Sequence, residues 1–311
     1  MVTTWTPQRM RGVFERVKNW GRWGADDENG ALNLITPGKR REGAAAVITG
    51  ETVSCARELA VRPSIENPSP ALHMMIQGGD DCVIPGVGLE AAMDFVGVAF
   101  HGMATTHIDA LCHVFVDGRM YNGFAATEVK STGARRGSIM CARDGIASRG
   151  VLLDVPRTLG VEWIDASAPI TVAQLEATEK SQGVRVSEGD ILIVATGRDA
   201  RREKHGPWSP MQDGLAGMHP ECVEWIHDRG VAVLGNDGVS DVLPNINIEG
   251  WGMPIHQCAL VAMGVHLLDN LRLDRLSAAC AREQRWSFLF TVAPLRVERA
   301  TGSPVNPIAM L

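Results

Sequence analysis

Three histidines and one aspartate, His101, His107, Asp109 and His113, stand within residues 101–113, a stretch that is otherwise largely apolar. His107 and Asp109 are two apart, so an extended chain sends both side chains out of one face, where they can meet on a single cation. Neutral imidazole with carboxylate is a ligand set for Zn²⁺ or Mn²⁺. His113 follows Asp109 by four residues, through Ala110-Leu111-Cys112. It is close enough to turn back over that cation without having to bind it, a position that suits a proton shuttle. Straight strand would carry His101 roughly 20 Å from His107; it serves as a ligand only if the chain folds back, which Gly102 permits. A single histidine beside an apolar strand is more often a satisfied polar group than a ligand. Three of the chain's nine histidines in so short a stretch, with His-x-Asp among them, favour a site. Cys112, next to His113, reads as a small buried residue rather than a nucleophile.

A second group lies further on, where Pro254 opens a helical stretch containing His256 and ending before Gly264, followed by Val265-His266-Leu267-Leu268-Asp269. An unbroken helix would hold His256 and Asp269 about 20 Å apart. Gly264, however, is a natural residue just past a helix end, and the chain after it reads as extended. A helix of about 12 Å with a returning strand of about 16 Å lets Asp269 come back close to His256. Asp237 and Asp241 follow a strand, as residues that either bind metal or orient a ligand histidine, or else serve Asx turns.

Residues 101–113 resemble the signature of the putative cyclase family of metal-dependent hydrolases, which includes bacterial kynurenine formamidase and isatin hydrolase and is usually written His-x-Gly-Thr-His-x-Asp-x-Pro-x-His. Thr106-His107-Ile108-Asp109 and His113 match it. Leu111 stands where Pro is usual, and the family's first His falls on Met103, for which His101 is the substitute. The resemblance extends to the Gly-x-Leu-Asn segment Gly30-Ala31-Leu32-Asn33 and to Thr301-Gly-Ser-Pro-Val-Asn-Pro307, characteristic of a longer branch. It implies a single cyclase-like α/β domain of the swivelling β/β/α type, with a mixed sheet and flanking helices. It also implies that His256 and Asp269 line the metal site, Asp269 standing in place of the family's Glu. The shorter side chain is compatible with one metal where kynurenine formamidases hold two.

The expected ligands are therefore His107, Asp109, His101 and Asp269, holding Zn²⁺ or Mn²⁺, with His113 and His256 as proton carriers. The expected activity is hydrolysis of an amide, imide or lactone bond in a small cyclic or aromatic substrate. Two alternatives stay open at this point: a lyase or isomerase in which the metal stabilises an enolate, and a non-catalytic protein that has kept the fold.

The elements that must position these residues fit a chain of 311 residues, 45% hydrophobic and 21% charged, which has the composition of a globular protein. A net charge of −6 without basic clusters argues against a nucleic-acid partner. Seven scattered cysteines without Cys-x-x-Cys spacing, and no secretory leader, read as reduced thiols of a cytoplasmic protein. No apolar run reaches a membrane-spanning length. Residues 1–36 form an arm rich in Trp and Gly. Thr36 then caps a helix with Pro37 at its first position, running to Gly50. Strands are predicted over 51–61 and 95–101, with a long loop between them that carries His73, Met74 and Met75 and runs through Gly78-Gly79-Asp80-Asp81. Further on come a strand at 151–155, a helix over Val172–Gln182 opened by the capping box Thr171/Gln174, and a buried strand at 189–196. A helix from His219-Pro220 to Gly230 leads into a strand at 231–235. This alternation without a linker gives one α/β domain over 1–311. The Trp-rich segment 5–23 and the stiff C-terminal tail offer more apolar surface than one domain needs, so a homodimer or homotetramer is expected.

Overall fold

Continuous apolar runs build the middle of the sheet: Ile191-Leu-Ile-Val-Ala195 and Val233-Leu-Gly-Asn236 are buried at every residue and so show no alternation. The computed structural model describes residues 5–80, 86, 88–244 and 247–311. The strands among them are β1 (Thr52–Ser54), β2 (Leu72–Gln77), β3 (Met93–Gly97), β4 (His107–Asp109), β5 (Val129–Lys130), β6 (Gly133–Ala134), β7 (Ile146–Asp154), β8 (Ile191–Ala195), β9 (Val233–Asn236), β10 (His266–Asp269), β11 (Ser287–Val292), β12 (Gly302–Pro304) and β13 (Ile308–Met310). One sheet takes the order β1-β13-β11-β7-β8-β9-β10-β4-β12. Its centre, β7 to β10, is parallel, and β4 lies antiparallel between β10 and β12. The helices Pro37–Ala45 and Val172–Gln182 pack on β7, and Asp274–Glu283 packs on β1. This is the expected class, an α/β domain with a mixed sheet and flanking helices. Among the described residues, no helix is long and apolar enough to cross a membrane.

Thr36 caps its helix as predicted, its hydroxyl accepting from Lys39 N, but the helix stops at Ala45 rather than Gly50. The β-branched run Val47-Ile48-Thr49 disfavours helix, and Thr49 N and Gly50 N are drawn to Leu311 O at the sheet edge. The strand predicted over 51–61 is only β1, because Arg57 turns inward: its N donates to Thr106 Oγ1 and its guanidinium meets Asp199 at 2.7 Å. His73, Met74 and Met75 lie not on a loop but on β2, which pairs antiparallel with β3. The rest of that expected loop, at Asp81, lies outside the described residues, as does Cys82. The strand predicted over 95–101 is shifted to β3, and the chain bends after it. The capping box of Val172–Gln182 is present in full.

The arm packs on the body of its own chain. Its helix Pro7–Arg16, which the sequence reading did not anticipate, buries Met10, Val13 and Phe14. Beyond it the arm closes the end of the segment that begins at Pro254. That segment starts as an α-helix, Pro254–His256, and continues as a π-helix, Gln257–Met263, a wider winding that accommodates an extra residue and recurs at functional sites. The carbonyls left open at its end are met by arm donors: Trp20 Nε1 on Val261 O, Asn19 N on Ala262 O, Asn19 Nδ2 on Met263 O and Ala31 N on Gly264 O. Gly264 ends the helix at φ +71, and a Cβ there would come within 2.5 Å of the Tyr121 ring, so only glycine fits both the turn and the contact.

Candidate metal centre

β4 does what its period-two spacing requires. His107 and Asp109 face the same side, opposite Asp269 and Leu267 of β10 respectively. All of these side chains are buried. Asp109 is the hub: His101 Nδ1 is 3.0 Å from its Oδ1, His107 Nε2 3.4 Å and His113 Nε2 3.9 Å, while His256 Nε2 is 3.7 Å from Oδ2. The chain does fold back at Gly102, whose φ is +147, and the His101 ring stacks on His113 with centroids 3.8 Å apart. His113 turns over the site because its N donates to Ala110 O. The returning strand brings Asp269 Oδ2 to 3.2 Å from His256 Nε2. All six residues singled out in the sequence thus converge.

The outer nitrogens of these rings are held. His107 Nδ1 donates to Thr105 O at 2.8 Å, and since a carbonyl only accepts, Nδ1 keeps its proton and Nε2, toward Asp109, is the nitrogen through which this ring could bind a cation. His256 Nδ1 meets Asp241 Oδ2 at 2.7 Å. Asp241 also accepts from Ile255 N and His256 N, so it both caps that helix and orients its histidine. His101 Nε2 meets Thr301 Oγ1 at 3.0 Å, a contact from the C-terminal tail that no local spacing announces. Asp237 is saturated by Thr196 N and Oγ1, Gly197 N and Arg198 N and serves the helix after β8. Cys112 is buried with its thiol pushed up to about 12 by desolvation, which leaves it a small core residue. Met103 packs beside Trp208, Leu215, Val239 and Leu243.

Electrostatics follow from burial against charge. Burial alone would raise the Asp109 carboxyl, but His101 and His107 beside it hold it well below the usual range. Burial alone would lower His107 and His256; Asp109 and Asp269 raise the first, and Asp269 with Asp241 raise the second well above the ordinary imidazole value. His113 is pushed down to about 4 by burial, against the pull of Asp109, and so is neutral at pH 7.

The residues present fit a divalent cation. Both oxygens of Asp109, Asp269 Oδ1 and His101 Nδ1 are buried without a hydrogen-bond partner. The 3.0 Å approach of His101 to Asp109 is close but not angled as a hydrogen bond. Buried acceptors left this way are costly unless something binds them. Among the described residues, two groups have ligand atoms within 4.8 Å of one another, His101/Asp109/His113 and His107/Asp109/Asp269, both with the mixed nitrogen and oxygen character of a Zn²⁺ or Mn²⁺ site.

His266, on the other face of β10, is fully buried and pushed down to about 4 by desolvation; its Nε2 sits 3.3 Å from the Cys141 thiol. The unfolded chain takes up this proton below about 6.5, the folded chain only near 4. Stability therefore falls as pH drops through that window, by at most roughly 3 kcal/mol from this group. His266→Leu should flatten the difference between urea unfolding at pH 6.5 and pH 4.5; an unchanged difference would place the acid lability elsewhere.

Comparison with known proteins follows the same lines. None of the curated proteins matches this chain. A solved structure described as a novel cyclase superposes with a TM-score of 0.85 at 30% identity, covering 96% of this chain and 99% of that one. Isatin hydrolase A from Labrenzia aggregata, bound to benzyl benzoate, gives 0.61 at 21% identity, over 86% of this chain and 95% of its own. A potential metal-dependent hydrolase with cyclase activity gives 0.50 at 14% identity, over 83% and 98%. The last two share the fold. Residues 44–241, more than half of the chain, match the family model described as Putative cyclase, and with these residues, this sheet and this site the chain belongs to that family.

Proposed function

We propose that this protein is a metal-dependent hydrolase that opens an amide, imide or lactone bond of a small cyclic or aromatic substrate. The observation that carries the reading is the pair of buried carboxylates, Asp109 and Asp269, whose unpartnered oxygens face a cluster of four imidazoles. His107, Asp109 and Asp269, with His101, would hold Zn²⁺ or Mn²⁺. A cation there supplies a Lewis acid that polarises a carbonyl and makes water a nucleophile near neutral pH. The protein's own residues do the rest. His113, neutral and partly exposed, accepts a proton at Nε2 and passes it toward the leaving group. His256, held between Asp241 and Asp269, is the second proton carrier. Asp241 fixes its ring.

The test is turnover of N-formyl aromatic amines, isatin-like lactams and small lactones by metal-reconstituted protein in oxygen-18 water. Hydrolysis must place the label in the product. Turnover without label would indicate a lyase or isomerase, and a protein that neither retains metal nor turns over any of them would be a relic of the fold.

We further propose that the enzyme works in a reducing cytoplasm, where its free cysteines stay reduced, and that it is a homodimer or homotetramer. The arm covers its own body, so the surface that supports association is the β2–β3 hairpin, which exposes Leu72, Met74, Met75, Ile76, Phe95 and Val96; a two-stranded ribbon alone is marginal in water. Light scattering at micromolar concentration should give two or four chain masses, and a single chain mass would refute it.

A further inference from the structure

The loop that folds His101 back is held from behind by two residues that no ligand motif includes. Asn270 follows Asp269 and is fully buried, in left-handed backbone at φ +56, a region that asparagine tolerates better than most residues. Its Nδ2 donates to Gly102 O at 2.8 Å and to Thr105 O at 3.1 Å, and its own carbonyl accepts from Thr106 Oγ1 at 2.6 Å. Arg198, 4% exposed, donates from Nη1 to Asn270 Oδ1 at 2.8 Å and from Nη2 to Met103 O at 2.5 Å. Three successive or near-successive carbonyls of the loop, at 102, 103 and 105, are thus tied to one amide and one guanidinium. Thr105 O is also the acceptor that orients His107.

We propose that Asn270 and Arg198 are positioning residues that fold residues 102–105 back and so place the His101 imidazole beside Asp109. The inference rests on the metal-centre reading for its purpose, but not for its geometry. With residue 103 turned into the apolar cluster around Trp208, a ligand from this loop must come from residue 101, and the loop keeps that course only while its inward carbonyls have donors. A buried carbonyl without a partner would favour opening the loop to water.

Asn270→Gly separates the amide from the backbone, since glycine accepts φ +56 without strain and removes the side chain's two donated bonds together with its acceptance from Arg198 Nη1. Arg198→Lys is the second variant; it keeps the charge but not the planar fork that reaches two acceptors at once. The first measurement uses metal-free protein: the ring resonances of His101 and His113, which stack at 3.8 Å, should both shift in Asn270→Gly, while those of His256 stay in place. The second is cobalt titration, in which Asn270→Gly should bind about 10–100-fold more weakly than wild type, with the visible spectrum of His101→Ala. In the His101→Ala background, Asn270→Gly should cost nothing further. Unshifted His101 and His113 resonances, or cobalt losses that add in the double variant, would overturn the proposal. If the wild type takes up no cobalt, the metal reading fails and the ring resonances still decide this one.

Discussion

Asp109→Asn should leave the purified protein folded but without stoichiometric divalent metal and without measurable hydrolysis. No other residue touches so much of the centre: four imidazoles lie within 3.0–3.9 Å of its two oxygens, and neither oxygen has a hydrogen-bond partner. The amide keeps the shape yet turns one acceptor into a donor and removes the charge that suits the cluster to a cation. Metal content by elemental analysis should fall below about a tenth of the wild-type value, because a first ligand is lost and not merely an outer partner, whose removal costs about 10–100-fold in affinity. His107→Ala should behave in the same way. Full metal and activity in either variant would remove the central claim. In metal-free protein the sign with pH is also fixed. The carboxyl is held below its ordinary value of 3.8, so its contribution to stability is present above 3.8 and is lost as pH falls through the lowered value. The destabilisation caused by Asp109→Asn should therefore be seen at pH 7 and vanish in strong acid.

His113→Asn should have the opposite profile, keeping metal and fold while lowering kcat at least about a hundredfold, with the acidic limb of the pH profile altered. Of the imidazole nitrogens facing Asp109, that of His113 stands furthest away, at 3.9 Å, and its side chain is 30% exposed. A neutral ring there is ready to take a proton. Its place in one of the two possible ligand groups, with His101 and Asp109, supplies the rival outcome: loss of metal in His113→Asn would make it a ligand. Near-normal kcat with a lower melting temperature would make it structural.

The convergence of His256 with Asp269 was legible because Gly264 announces the end of one element and the start of its return, so a distance could be worked out from rise per residue alone. The pair on β4 was legible from its spacing. The place of His101 was only half legible: Gly102 permits the fold back, but the donors that enforce it, Arg198 and Asn270, are far away in the chain, and nothing local marks them. The arm's first helix was legible and missed. Thr6-Pro7 repeats the capping signal of Thr36-Pro37, with the Thr6 hydroxyl accepting from Arg9 N. His73, Met74 and Met75 were misplaced because flanking Pro and Gly mark a loop whether or not a hairpin lies inside it. The tail Gly302-Ser303-Pro304 shows no strand pattern, since it is positioned by pairing with β4 and not by its own propensity.

That pairing has a consequence for how the protein is made. β4 is hemmed in by β10 and β12, with Asp109 opposite Leu267 on one side and Gly302 on the other, both partners more than half the chain away. At ordinary rates of synthesis the ribosome needs on the order of ten seconds or more to travel from the first to the last of these strands. Until β10 emerges His107 and Asp109 are on a strand with neither neighbour, and until β12 emerges with only one; contacts of such long range close late. The centre is thus expected to close only once β12 has emerged, and a product cut short before residue 301 would carry every predicted ligand while leaving β4 without its outer neighbour and His101 without Thr301.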